Sequence, residues 1–101
     1  MDLKITQDTD KGHIEIIGDI DEKGAEILKA KLQEMNQLKT VEIDFRNVEY
    51  IGSSGIGKLL LFYKNLAING GTLSVTHLQP DLFRLFKELK LDTIFLITDQ
   101  S

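Results

Sequence analysis

Apolar residues fall along this chain in two rhythms. Alternation with polar neighbours predicts short strands over Leu3–Gln7, His13–Gly18, Val41–Phe45, Thr72–Thr76 and Thr93–Ile97. The β-branched Ile14, Ile16 and Ile17 favour extended backbone in the second of them. Between the strands the spacing lengthens to three and four residues. Ala25, Leu28, Leu32 and Met35 give a helix over Glu22–Asn36 one apolar stripe. A second helix starts near Ser53 or Ser54 and buries Ile56, Leu59, Leu60, Tyr63, Leu66 and Ala67. A third opens near Pro80, with Leu82, Leu85, Phe86 and Leu89 as its stripe.

The breaks between these segments have their own chemistry. The polar run Asp8-Thr9-Asp10-Lys11-Gly12 predicts a hairpin between the first two strands. Asp21 is placed to cap the first helix, since its carboxylate can accept amide hydrogens left free in a first turn. Glu26 and Lys29 read as a surface pair three residues apart. Asn69-Gly70-Gly71 supplies the positive φ that ends the second helix. Pro80 suits a first turn because it lacks an amide hydrogen that would find no partner there. The order is β-β-α-β-α-β-α-β. After the hairpin, helices join strands at crossover length, so the expected class is α/β, a mostly parallel sheet in one domain over 1–101.

Sixteen acidic residues against twelve basic ones leave a charge of −4, which disfavours a phosphate backbone as partner. Apolar runs such as Leu59–Phe62 are too short to enter and span a bilayer. Met1-Asp2-Leu3-Lys4 lacks the basic-then-apolar order of a signal peptide. Without cysteine there is no disulfide framework, thiol nucleophile or Cys zinc site, and His13 and His77 are the only histidines. The expectation is a small cytoplasmic domain with no metal or cofactor of its own.

The most unusual segment is Tyr50-Ile51-Gly52-Ser53-Ser54-Gly55-Ile56-Gly57, at a strand–loop–helix junction. Its glycines let backbone approach another molecule, and its hydroxyls stand where helix amides favour negative charge. Two readings stay open: a phosphate rests there, on a ligand or on serine, or a serine merely caps the helix. The glycine spacing is neither a P-loop nor a dinucleotide fingerprint, and the nucleophile elbow is absent. Asp19 and Asp21 read as turn and cap rather than paired catalytic carboxylates. Lys58, Lys64, Arg84, Lys87 and Lys90 read as solvated faces, His13 as a strand-surface residue, and Phe83 as filling a core edge or marking a contact patch, the core favoured.

Together these segments resemble the STAS domain family, particularly the free-standing anti-sigma-factor antagonists of bacteria. Gly18-Asp19-Ile20-Asp21, Ile43-Asp44-Phe45, Ser53-Ser54-Gly55-Ile56-Gly57 and Asn69-Gly70-Gly71 agree with the family in order. So do Leu85-Phe86 and the ending Leu91-Asp92-Thr93-Ile94-Phe95. The resemblance implies a non-enzymatic module working by partner switching. It implies that Ser53 is phosphorylated by a kinase that is also the anti-sigma factor, and restored by a phosphatase. Ser54 is then the neighbouring hydroxyl, Gly55 keeps the loop close, and Asp21, Gly52, Ile56 and Gly57 complete the phospho-loop and partner contact. One residue departs from the family. Gly52 stands where an acidic residue usually precedes the acceptor, which removes both an orienting charge and repulsion against phosphate. A non-phosphorylated scaffold subunit of a signalling or lipid-transport assembly, and a small-anion or nucleotide sensor, are the alternatives.

Overall fold

The computed structural model describes residues 1–98. β1 (Asp2–Asp8) and β2 (Lys11–Ile17) form an antiparallel hairpin, paired from Asp2↔Ile17 to Asp8↔Lys11. The chain continues through α1 (Glu22–Gln33), β3 (Thr40–Asn47), α2 (Ser53–Ile68), β4 (Thr72–Thr76), α3 (Pro80–Glu88), a 3-10 turn (Leu91–Thr93) and β5 (Leu96–Ile97). The strands lie side by side in chain order, and every pairing after the hairpin is parallel. Because the sheet always grows in one direction, right-handed crossovers bring all three helices to the same face.

That layering is written in the strand alternation. Ile14 and Ile16 of β2, Val41, Ile43 and Phe45 of β3, and Leu73 and Val75 of β4 are buried beneath the helices. Leu28 and Leu32 of α1, Leu59, Phe62 and Leu66 of α2, and Leu82 and Phe86 of α3 close over them. Burying each such side chain contributes about 1.5–3 kcal/mol, so the stripes rather than helix propensity hold the layer. Phe86 stands edge-on to Phe45, with ring centres 5.8 Å apart, and Tyr63 meets Phe95 similarly at 5.9 Å. The intervening strand residues, among them His13, Glu42 and Ser74, face the side without helices.

The expected terminators do their work. Asp21 Oδ1 accepts from the Gly24 amide at 2.8 Å, capping α1. At the end of α2, Gly70 takes φ 79°, and the Gly70 and Gly71 amides donate to the carbonyls of Ala67 and Leu66. That is a Schellman closure, and it needs the glycine. Pro80 begins α3.

Several expectations need correction. α1 stops at Gln33, and Met35 is buried from the turn that follows. Glu26 pairs not with Lys29 but across to Lys58 of α2, at 3.3 Å, so Lys58 ties two helices together. In α2 Phe62 is buried along with the expected Leu59 and Leu66, while Ala67 is exposed; α2 packs against both α1 and the sheet, which moves its buried sector. The last strand is only Leu96–Ile97, because the Ile94 and Phe95 amides both donate to the Leu91 carbonyl and hold the preceding residues in a turn. Phe83 is exposed rather than core, with the Lys87 ammonium 5.6 Å from its ring centre. Leu89 is exposed as well, past the last residue of α3.

Candidate functional site

Parallel pairing puts the C-terminal ends of β2, β3 and β4 and the starts of α1, α2 and α3 at one end of the sheet. The loop over residues 48–52 crosses that end and is held along its length. Its entry is fixed by the Gly18 amide donating to the Asn47 carbonyl at 3.0 Å and by the Val48 amide on Phe45. Asp19 Oδ1 accepts from the Glu49 amide at 3.3 Å, so this aspartate helps hold the loop. Ile20 and Ile51 form a parallel bridge: the Ile20 amide donates to Tyr50 at 2.9 Å, and the Gly52 amide donates to Ile20 at 3.0 Å. This bridge brings the Asp21 segment beside the Ser53 segment.

Gly52 is the N-cap of α2, with φ −84° and ψ 173°, and it supplies no side-chain cap bond. Ser53 is therefore the first helical residue. Ser53 and Ser54 are both exposed, and neither hydroxyl bonds to another described residue. The capping reading of these serines is thus removed: the helix is capped by a glycine, and the hydroxyls have no structural duty. The amides of the first turn, from Ser53 to Gly55, lack intrahelical acceptors, and that turn carries no acidic side chain. A 16-residue helix then presents its positive end beside an unengaged hydroxyl.

The glycines divide by role. A Cβ on Gly55 would lie 2.7 Å from Ile20 Cγ2 and 2.8 Å from Ile51 Cγ1, so Gly55 seats the helix on the bridge beneath it. Its closeness is internal, and the expectation that it opens the backbone to an approaching molecule is corrected. Gly57 has nothing within 4 Å of such a position. At Gly52 a Cβ would come within 3.0 Å of the hydroxyl of Tyr50, an exposed ring. Ile56 is half-buried against the core, so only part of it is available for contact.

A polar cluster at the same end escaped the sequence reading. Asp44 is buried, 3% exposed, although it sits on the face without helices. Its Oδ1 accepts from the Arg46 amide at 2.8 Å, and its Oδ2 receives the Arg46 guanidinium at 3.1 Å. Arg46 reaches on to His77 Nε2 at 3.0 Å, and His77 Nδ1 meets Thr76 Oγ1 at 3.0 Å. His77 adopts φ 57°, a left-handed conformation unusual for a residue with a Cβ. Gln79 donates to the Arg46 carbonyl at 3.1 Å, joining the start of α3 to the end of β3. The available signal was an acid between Ile43 and Phe45, but its cover combines Arg46, two residues on, with His77 from the loop after β4. His13 likewise is no bare surface residue, since its Nδ1 pairs with Glu42 Oε1 at 2.8 Å.

A small α/β domain with an N-terminal hairpin, helices on one face and a serine-led helix at the strand ends defines a class, and comparison with known proteins agrees. The Mlab, STAS domain family model matches residues 3–98, so the chain belongs to the STAS domain family. The anti-sigma-B factor antagonist of Bacillus subtilis is 28% identical, covering 100% of this chain and 94% of that protein. Among solved structures, an anti-sigma-factor antagonist (STAS) domain protein from Planctomyces limnophilus superposes with a TM-score of 0.85 at 18% identity, covering 98% and 90% of the two chains. The phosphorylated form of SpoIIAA, the Bacillus cell fate determinant, superposes with a TM-score of 0.79 at 19% identity, covering 99% and 92%. Among the described residues, no helix is long and apolar enough to cross a membrane.

Proposed function

We propose that this chain is a cytoplasmic, non-enzymatic partner-switching module whose Ser53 is the substrate of a serine kinase that doubles as its anti-sigma partner. The unphosphorylated form binds that partner, phosphorylation releases it, and a phosphatase resets the site. The observation that carries the reading is Ser53 itself: an exposed hydroxyl, free of hydrogen bonds to described residues, at the first position of a helix with a glycine cap. The likeness to proteins described as anti-sigma factor antagonists, one of them solved in a phosphorylated form, supports it. Phosphorylation adds about −1.5 to −2 charges at pH 7 where helix amides accept them, so the surface gains negative charge without a change of fold. Asp21, Ser54 and the exposed part of Ile56 supply the surrounding contact. Nucleic acid is no partner in this reading, and no cofactor is held; ATP belongs to the kinase.

The test is incubation with the co-encoded serine kinase and ATP, followed by mass spectrometry and a partner-binding assay. One phosphate on Ser53, its loss in Ser53→Ala, and weaker partner binding by the phosphorylated form are expected. No phosphate, together with equal partner binding by Ser53→Ala and Ser53→Glu, refutes the switch. Gly52 favours a second reading, a constitutive STAS subunit of a larger assembly, because it leaves no acidic side chain at the cap or in the first turn of α2. In that case a pull-down recovers the same partners with wild type, Ser53→Ala and Ser53→Asp.

A further inference from the structure

One cavity lies far from Ser53 in the fold. It has a volume of about 450 Å³ and sits on the face of the sheet without helices, toward the starting ends of the parallel strands. Ser53 follows the other end of those strands. The volume falls within the range of roughly 300–1,000 Å³ common for small-molecule sites.

Strand register arranges the lining in rows. Thr6 pairs with His13, His13 with Glu42, and Glu42 with Ser74, one row across four strands. The neighbouring row carries Asp8 opposite Lys11. Lys11 and His13, two residues apart on β2, therefore face the cavity together, with Asp8 on one flank and Glu42 on the other. The pairing His13 Nδ1–Glu42 Oε1 uses one ring nitrogen and one carboxylate oxygen and leaves the second of each open. Lys11 makes no ion pair among the described residues. Adjacent strands lie about 4.8 Å apart, so sites of opposite sign are spaced about that far across the cavity.

This charge pattern selects its occupant. A simple anion attracted by Lys11 also meets Asp8 and Glu42, and a simple cation meets Lys11. A ligand carrying both signs a few ångströms apart satisfies both. We propose that the cavity binds a free α-amino acid, with its carboxylate toward Lys11, its ammonium toward Glu42 and Asp8, and the hydroxyls of Thr6 and Ser74 available to its polar atoms. The site is separate from the Ser53 surface and does not depend on phosphorylation.

Two-dimensional amide NMR of the full chain, titrated with each proteinogenic amino acid in turn, tests the proposal. At least one is expected to give saturable shifts centred on Lys11, His13, Glu42 and Ser74. Lys11→Ala and Glu42→Gln should each weaken its binding about tenfold or more, the loss of one charge-assisted hydrogen bond. The N-acetylated and the amidated derivatives of the same amino acid should bind as poorly. Should Lys11→Ala lose its native spectrum, Lys11→Gln takes its place. The proposal is overturned if no amino acid saturates the site below about 10 mM, a dissociation constant already weak for a specific ligand. It is equally overturned if the blocked derivatives bind as well as the parent, or if inorganic phosphate or glucose binds there and amino acids do not.

Discussion

Gly55 and Gly57 lie two residues apart in α2, and replacing each with alanine should move stability in opposite directions. In a helix, glycine to alanine is favourable by about 1 kcal/mol on propensity alone, and by less in the first turn. At Gly57 nothing stands within 4 Å of the added Cβ, so the gain is unopposed. At Gly55 the methyl meets Ile20 Cγ2 at 2.7 Å, Ile51 Cγ1 at 2.8 Å and Ile51 Cδ1 at 3.2 Å. Both isoleucines are buried, at 0% and 3% exposure, and both are held by the bridge between them. Neither can swing into solvent, so overpacking costs about 1–3 kcal/mol and outweighs the propensity gain. Gly55→Ala should therefore lose a net 1–2 kcal/mol, roughly 5–15 °C in Tm for a domain of this size. Gly57→Ala should gain about 0.5–1 kcal/mol. Urea unfolding followed by circular dichroism measures both. A Gly55→Ala protein as stable as wild type would show that the bridge yields, and the account of a rigidly presented Ser53 would go with it.

Asp21→Ala should cost about 1 kcal/mol in the same assay, because the Gly24 amide loses its acceptor. Asp44→Ala should cost about 1–3 kcal/mol, mostly from stranding the Arg46 amide, since the Arg46 guanidinium is 55% exposed and its ion pair is screened by water. At −4 overall, the domain should show no submicromolar binding to duplex DNA near physiological salt; a mobility shift that survives added salt would contradict this.

Legibility in the sequence tracked how local the determining contacts were. The α1 cap, the Gly70 closure and the Pro80 start depend on residues within a few positions, and all were readable. The strand alternation was readable too, because burial on one face is a property of each strand alone. Phe62 was not, since its burial follows from how α2 packs between α1 and the sheet. Asp44 shows the same limit more sharply. Alternation marked it as a polar strand position, where exposure is the default, whereas Arg46 and His77 reach over it and Thr76 lies beside it in β4. The ending Thr93–Ile97 had strand-forming residues, but hydrogen bonds to Leu91 won locally and left two residues for the sheet. At the site, the motif located Ser53, while the freedom of its hydroxyl became visible only once Gly52 occupied the cap.

That freedom has a thermodynamic consequence. A serine that caps a helix cannot be modified without losing a stabilising bond, whereas Ser53 stands one position inside and gives up nothing. Ser53→Ala should change the unfolding free energy by no more than about 0.5 kcal/mol, the usual range for an exposed side chain without partners. Phosphoserine at the same position adds a dianion beside the unsatisfied amides of the first turn, where negative charge is stabilising by about 0.3–1 kcal/mol. No acidic side chain in that turn opposes it. The phosphorylated domain should therefore be as stable as the unmodified one or slightly more so, with the advantage shrinking as salt screens the helix charge. Protein carrying phosphoserine at position 53, unfolded in urea at low and high ionic strength, measures this directly. A loss beyond about 1 kcal/mol on phosphorylation would mean that the charge is felt as repulsion, and that any effect on a partner could arise from partial unfolding. Retained stability with a lost partner would instead locate the change in the surface that the helix presents.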